Sequence, residues 1–295
     1  MTEFHSIDTR PLISDLLKDN ASVIESVKKI LKTEPLYQDN VTRYDDIWIL
    51  RYVLSHKKKS ESAAKAALKT MQFREKYKLN ELGDIRYKLP SLDVAYEKVA
   101  SPAEIKYRKF LHDESYYHVL PDEKKGIVTY IRMAKLDTSG LGANLSEDEI
   151  FECYIKLNEP SYQILDHITR STGRLTKQLK IIDLEGQRLR NFNRAFLKKD
   201  AAVSTKIEDF YPQMLGMMAI VNAPSWFIKF YKAVRVFFPK RLIEKVDVLP
   251  PKNKVTSNDL ARIFKYVAKE NFSEKYGGSS TTWPPPHAGL LFQKT

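Results

Sequence analysis

Apolar positions recur at helical spacing through residues 1–99, and they predict an all-helical region there. Val23, Val27, Ile30 and Leu31 share one face of a helix that Asn20 can cap and Pro35 ends. Ile47, Leu50, Val53 and Leu54, with Trp48 alongside, form a second helix. Ser60 can cap a third, with Ala64, Ala67, Leu68 and Met71 inward and its end near Tyr77. Leu89-Pro90 reads as the boundary to a second region, where short β-branched runs alternate with helices. Residues 116–119 form a short extended segment, and 127–131 a strand that follows Gly126. Ser146-x-x-Glu149 is a capping box opening a helix through Ile150, Phe151, Tyr154, Ile155 and Leu157. Pro160 is expected to kink or break it, and Leu165 and Ile168 continue its apolar face. Residues 179–184 form the next strand, turned by Glu185-Gly186. One helix then passes through Phe192, Ala195 and Phe196, and another runs to Phe210. Residues 217–221 and 243–249 read as further strands, and 257–272 as a final amphipathic helix. Strands alternating with helices from about 120 to 275 argue an α/β domain with a mainly parallel sheet. The tail around residues 283–286 is expected to be extended and loosely held.

The stretch from 208 to 249 organises the chain. The apolar run 217–221 fits a strand buried in a parallel sheet. Asn222-Ala223-Pro224 stops it, and Pro224 suits the first turn of a helix, where its missing N–H costs nothing. In that helix Trp226, Phe227, Phe230, Tyr231, Val234 and Phe237 build a wide aromatic face, with Lys229, Lys232 and Arg235 as a basic stripe beside it. Pro239 ends it. An aromatic face flanked by cations suits a helix that meets a lipid surface. The alternative is an ordinary helix packed on a sheet with its cations in water.

Bulk properties narrow the choice. A chain of 295 residues is comfortable for two domains, and 43% hydrophobic with 29% charged residues is ordinary for a globular protein. No apolar run approaches the roughly 18 residues that would span a bilayer. Residues 1–5 have neither the basic region nor the apolar core of a secretory signal, and the lone Cys153 excludes an internal disulfide. Both point to a cytoplasmic protein. The net charge of +12 predicts attraction to polyanions. The cations are scattered, apart from Lys57-Lys58-Lys59, and no nucleic-acid motif accompanies them, so an anionic membrane surface is the better partner.

Several of these segments resemble the CRAL-TRIO family of lipid-transfer proteins, in particular the secretory-pathway phosphatidylinositol transfer proteins. The resemblance rests on Tyr211-Pro212-Gln213-Met214-Leu215-Gly216, Asn222-Ala223-Pro224-Ser225-Trp226-Phe227, Lys245-Val246, Ile181-Ile182-Asp183-Leu184-Glu185-Gly186 and Lys275-Tyr276-Gly277-Gly278. It covers roughly residues 45 to 279. It implies a helical domain at 1–99, a lipid-binding α/β domain at 100–278 with a mobile gate helix, and a tail at 279–295. The helical-domain motif here reads Leu50-Arg51-Tyr52-Val53-Leu54-Ser55-His56-Lys57, which keeps the family's final Lys. By the resemblance, Lys57 and Lys245 hold a lipid phosphate or head group. Gln213 stands where the family has a Glu that bonds inositol hydroxyls. Tyr130 is a candidate to point into the ligand cavity. Gln178 and Lys180 stand where phosphatidylcholine-exchanging members carry Ser and Thr, and Lys180 can pair with a phosphate or face water.

No metal-ligand cluster, nucleophile elbow, P-loop or dinucleotide fingerprint is present in the sequence. The expectation is therefore a non-enzymatic carrier without cofactor or metal, monomeric, binding no nucleic acid and meeting membranes peripherally and transiently. It would enclose one phospholipid, phosphatidylinositol favoured, and exchange it through the gate helix. The alternatives are a carrier of a neutral apolar ligand, such as a tocopherol-, retinoid- or sterol-like molecule, or a lipid-sensing regulatory module without transfer activity.

Overall fold

The computed structural model describes residues 8–80, 102–112, 116–119, 126–238, 240–250, 254–281 and 288–290. The Leu89-Pro90 boundary and the Pro-rich segment 283–286 lie outside the described residues. Helices α1 (Ile13–Leu31), α2 (Pro35–Gln38), α3 (Asp46–Ser55) and α4 (Ser60–Lys76) form the N-terminal region, and α5 (Pro102–Arg108) follows. Asn20 is not a cap: α1 starts seven residues earlier, because Ile13 extends its apolar stripe. The Asn20 side chain is buried and bonds back to the Leu16 carbonyl at 2.7 Å.

The sheet contains β1 (Tyr116–Val119), β2 (Val128–Arg132), β3 (Gln178–Asp183), β4 (Leu215–Val221), β5 (Val246–Val248) and β6 (Ala288–Leu290), in the order β5-β4-β3-β2-β1-β6. Strands β2 to β5 are parallel, while β1 pairs antiparallel with both β2 and β6. The connections carry α6 (Thr138–Asn144), α7 (Glu147–Thr172), α8 (Arg194–Phe210), α9 (Phe227–Val234) and α10 (Lys240–Ile243). The expected strand over 243–249 is shorter, because one helical turn occupies its start. The final helix, α11 (Ser257–Ile263), also stops early and is capped by Thr256. The chain beyond it turns so that Val267 and Phe272 both pack on the sheet.

Helix α7 opens with the capping box at Ser146 and Glu149 and runs unbroken through Pro160. Burial on both sides of the proline holds it together, since residues 157–162 are all buried. Side chains also bond carbonyls near the proline: Asn158 donates to Tyr154 O at 2.6 Å and Ser161 to Leu157 O at 3.1 Å.

Strand alternation divides the sheet into two faces. On one face Val128, Tyr130, Leu179, Ile181, Ala219 and Val221 pack beneath Leu249, Ile263, Val267, Phe272 and Tyr276. The other face carries Thr129, Ile131, Gln178, Lys180, Ile182, Met218 and Ile220 and lines a cavity. A β-bulge between β3 and β4 pairs Gln178 with Leu215 but Leu179 with Met217.

One carboxylate ties together the ends of the strands. Asp183, at the end of β3, is 1% exposed. Its Oδ1 accepts from Asn222 Nδ2 at 2.8 Å and from the Glu185 backbone N–H at 2.9 Å. Its Oδ2 accepts from the Tyr276 hydroxyl at 2.7 Å and the Tyr130 hydroxyl at 3.3 Å, and the Lys275 ammonium stands 3.8 Å away. The Gly277-Gly278 turn that delivers Tyr276 admits no side chain. Gly277 has φ +94°, and a Cβ on Gly278 would lie 1.7 Å from the Phe272 carbonyl oxygen.

The N-terminal helices share one apolar core with α7 and α8. They are fastened to α7 by arginine–carboxylate pairs. Arg74 makes a two-pronged pair with Glu159 at 2.9 and 3.0 Å, fully buried on both sides. Arg51, with no exposed surface, donates to Asp166 and Thr169 at 3.3 Å, and Arg170 bridges Asp45 and Asp166. Without Glu159 the Arg74 guanidinium keeps only the neutral Asn80 Oδ1, 2.9 Å from its Nε, and its charge stays buried without a counter-ion. Glu159→Ala is expected to cost about 3–5 kcal/mol of stability, and the pair replacement Arg74→Met with Glu159→Leu to recover most of it. Urea unfolding of the three proteins measures both, and a Glu159→Ala midpoint equal to wild type would contradict the role assigned to the pair.

Candidate functional site

The cavity lies between the sheet and α7, α8 and α9, and has a volume of about 230 Å³. Its walls are mainly apolar: Ile131, Ile182, Met218 and Ile220 from the sheet, Leu157 from α7, and Phe196 and Ile207 from α8. Helix α9 closes one side. Phe227 is 5% exposed, and Phe230 and Tyr231 also face the cavity. Phe192, in the loop before α8, packs on this helix, with its ring 4.7 Å from Phe230 and 5.4 Å from Trp226. The aromatic face of α9 is thus the inner wall of the cavity. The outward face carries Ile228 at 46% and, just past the helix, Val236 at 74% exposed, among the exposed Lys229, Lys232 and Arg235. The side chains of Val234 and Phe237 lie outside the described residues.

Parallel strands put their starting residues at one edge of the sheet, and three polar candidates collect there. Lys177 and Lys245 immediately precede β3 and β5, and Gln213 stands two residues before β4. Lys245 is half-buried and ion-paired with Glu208, which lines the cavity. Gln213 adopts a left-handed backbone, φ +61°, and its amide donates to Ser55 Oγ at 3.0 Å. That bond brings the turn after α3 to the same edge. Lys57 lies two residues further along, exposed and also left-handed at φ +53°. The Lys57, Gln213 and Lys245 segments are thereby brought into one region. Lys177, which the sequence reading passed over, joins them. Desolvation, with the charges of Lys245 and Arg51 nearby, pushes its ammonium down to about 8.

Tyr130 is a correction. It points to the opposite face of β2, fully buried, with its ring 5.4 Å from Tyr276 and its hydroxyl on Asp183. The alternation that puts Thr129 and Ile131 in the cavity excludes it.

Lys180 does face the cavity. Burial lowers its pKa against the opposing pull of Asp200, a cavity residue on α8 whose own carboxyl is raised by burial and accepts a hydrogen bond from the Tyr154 hydroxyl. The sequence reading missed Asp200. Its signal was present: a carboxylate at four-residue spacing from Phe196 and Ser204, on the apolar stripe that continues to Ile207 and Tyr211.

With this geometry in place, comparison with known proteins decides the family. Residues 112–278 match the family model of the CRAL/TRIO domain. The chain belongs to the CRAL/TRIO family. This is a family of lipid-binding and lipid-transfer proteins. The chain is similar to the CRAL-TRIO domain-containing protein YKL091C of Saccharomyces cerevisiae, with 25% identity covering 92% of this chain and 81% of that protein. It is also similar to protein real-time of Aedes aegypti, with 23% identity over 93% of this chain but 38% of that longer protein. A third relative, the phosphatidylinositol/phosphatidylcholine transfer protein SFH12 of Arabidopsis thaliana, is 28% identical over 54% of this chain and 27% of its own. The solved structure of Sfh5 has the same fold, with a TM-score of 0.55 at 14% identity, covering 79% of this chain and 80% of that one. Among the described residues no helix is long and apolar enough to cross a membrane.

The depressed Lys177 makes a prediction about the protein without ligand. An ordinary lysine titrates near 10.5, so between pH 8 and 10.5 the unfolded chain binds the extra proton. Stability should therefore rise through that window from this group, whose charged form costs on the order of 3 kcal/mol at pH 7. Lys177→Met is expected to be more stable than wild type at pH 7 and to lose this part of the slope. Denaturant unfolding at pH 7 and pH 10 checks it; parallel stability profiles for the two proteins would contradict the assignment.

Proposed function

We propose that this protein carries one phospholipid, with phosphatidylinositol favoured, and exchanges it at anionic membranes through α9. The observation that carries the reading is an apolar cavity whose lid is a single short aromatic helix, with amide and ammonium groups gathered at the sheet edge beside it. Acyl chains fill the cavity, where burial is worth about 0.8 kcal/mol per CH₂. The phosphate is held by Lys245, assisted by Lys177 and Lys57, and Gln213 bonds head-group hydroxyls. Lys245 takes the phosphate in exchange for Glu208, one charge partner for another. Gln213 bonds hydroxyls without the charge assistance a carboxylate would give.

The two faces of α9 divide the work of exchange. Ile228 and Val236 enter the membrane interface while Lys229, Lys232 and Arg235 meet anionic head groups. Docking there releases the inner aromatic wall from Phe192, which opens the cavity toward lipid rather than water. No catalytic step is involved, and membrane contact is peripheral.

Transfer of fluorescent phosphatidylinositol between vesicles tests the reading. Wild type is expected to move it, Phe230→Glu to stop it with the fold retained, and Lys245→Ala to reduce phosphatidylinositol loading selectively. A protein that moves no phospholipid would overturn the proposal, and full transfer by Phe230→Glu would remove α9 as the gate.

The outer face has its own test. Each cation near an anionic surface contributes about 1 kcal/mol, so Lys229→Gln with Lys232→Gln should weaken sedimentation with anionic vesicles roughly thirtyfold. Unchanged sedimentation would exclude this face as the docking surface.

A further inference from the structure

The phospholipid reading does not use the charged groups deep in the cavity. Lys180 sits in the middle of β3, its side chain on the cavity face between Thr129 of β2 and Met218 of β4. It makes no hydrogen bond or ion pair within 4 Å among the described residues. Gln178 is two residues earlier on the same face, about 7 Å along the strand. Its Nε2 is taken by Thr129 Oγ1, and its buried Oε1 has no hydrogen-bond partner among the described residues. Across the cavity stand Asp200, bonded by the Tyr154 hydroxyl, and Ser204.

Buried polar groups without partners are costly, and a buried unpaired ammonium is among the most costly. An acyl chain lying against Lys180 would leave that cost in place. Asp200 relieves it only at a distance, and Tyr154 already occupies one of its oxygens. A ligand atom that meets Lys180 must accept hydrogen bonds, and it is held best if it carries negative charge. The neighbouring Gln178 amide then bonds a second polar atom of the same group.

We infer that the cavity takes a second class of cargo, an amphiphile whose acidic group, a carboxylate or a phosphate monoester, is carried inside on Lys180. This rests on the reading of the cavity as a lipid carrier, and it differs from that reading in orientation. Phospholipid is held by its head at the sheet edge, whereas the acidic amphiphile enters head first and leaves its tail toward α9. A neutral apolar molecule fits this interior poorly, because it satisfies neither Lys180 nor Gln178.

The test is direct binding of four probes to the full chain: a fluorescent polyene fatty acid, its methyl ester, a long-chain alkyl phosphate and the matching alcohol. Wild type is expected to bind an acid at least about tenfold more tightly than its neutral counterpart, as a charge-assisted bond requires. The fatty acid and the alkyl phosphate together tell whether carboxylate, phosphate or both are taken. Lys180→Met should erase the preference, weakening the acids and tightening the ester and alcohol that no longer face an unsatisfied ammonium, Lys180→Gln should likewise erase the preference, and Lys180→Arg should restore it. Equal binding of acid and neutral probes by wild type, or a preference that survives in Lys180→Met, would overturn the inference. Vesicle transfer of phosphatidylinositol is measured on the same proteins. Acid preference without phosphatidylinositol transfer would sink the phospholipid proposal alone, and transfer without acid preference would sink this one alone.

Discussion

The fold depends on a single buried carboxylate. Asp183 receives hydrogen bonds from β2, from its own turn, from Asn222 just after β4 and from Tyr276 beyond α11. Four separate stretches of chain therefore end at one side chain. Hydrogen bonds to a charged acceptor are stronger than neutral ones, and leaving such a group unsatisfied in a buried place is heavily penalised. Asn222 holds a left-handed backbone, φ +52°, which turns the chain out of β4 toward α9. The approach to α9 is thus set by the same oxygen that anchors the turn after β3.

The sequence announced this clamp without revealing it. Asp183, Asn222 and Tyr276 belong to three separate short motifs, and nothing in their spacing says that they touch. Strand and helix order was legible because apolar periodicity reports it directly: β2, β3 and β4 and the capped start of α7 fall within a residue or two of expectation. Breakers were less reliable. Pro160 sits inside a continuous helix because packing on both sides outweighs the lost hydrogen bond, and Asn20 is an interior core residue because the apolar stripe of α1 extends beyond it. The direction of α9 was ambiguous for a physical reason. An aromatic stripe has the same pattern whether it faces a cavity or a membrane, and only the tertiary structure shows that Phe227 turns inward while Ile228 turns out.

Polar chemistry inside the protein followed a similar rule. Residues near strand starts are brought together because parallel strands share an edge; the family resemblance nominated Gln213 and Lys245, and this edge geometry adds Lys177. Tyr130 failed because a strand read without its register leaves the two faces interchangeable. Charged residues among apolar neighbours, such as Lys180 and Asp200, carry the clearest signal in retrospect. Each places a charge on a largely apolar stripe, on a strand and on a helix that face the same space.

The bulge between β3 and β4 has a consequence for how such a protein can diverge. Because Leu179 pairs with Met217 while Gln178 pairs with Leu215, β4 changes phase at Gly216. Downstream of that point, Met218 and Ile220 keep their places against the cavity; upstream, the Tyr211–Gln213 turn is set by its own rotation. Removal of one residue here would spare the alternation of the strand and swing the turn to a new angle. A change of length at this one position would therefore re-aim the turn at the sheet's rim while leaving the buried pairing of β3 with β4 in place.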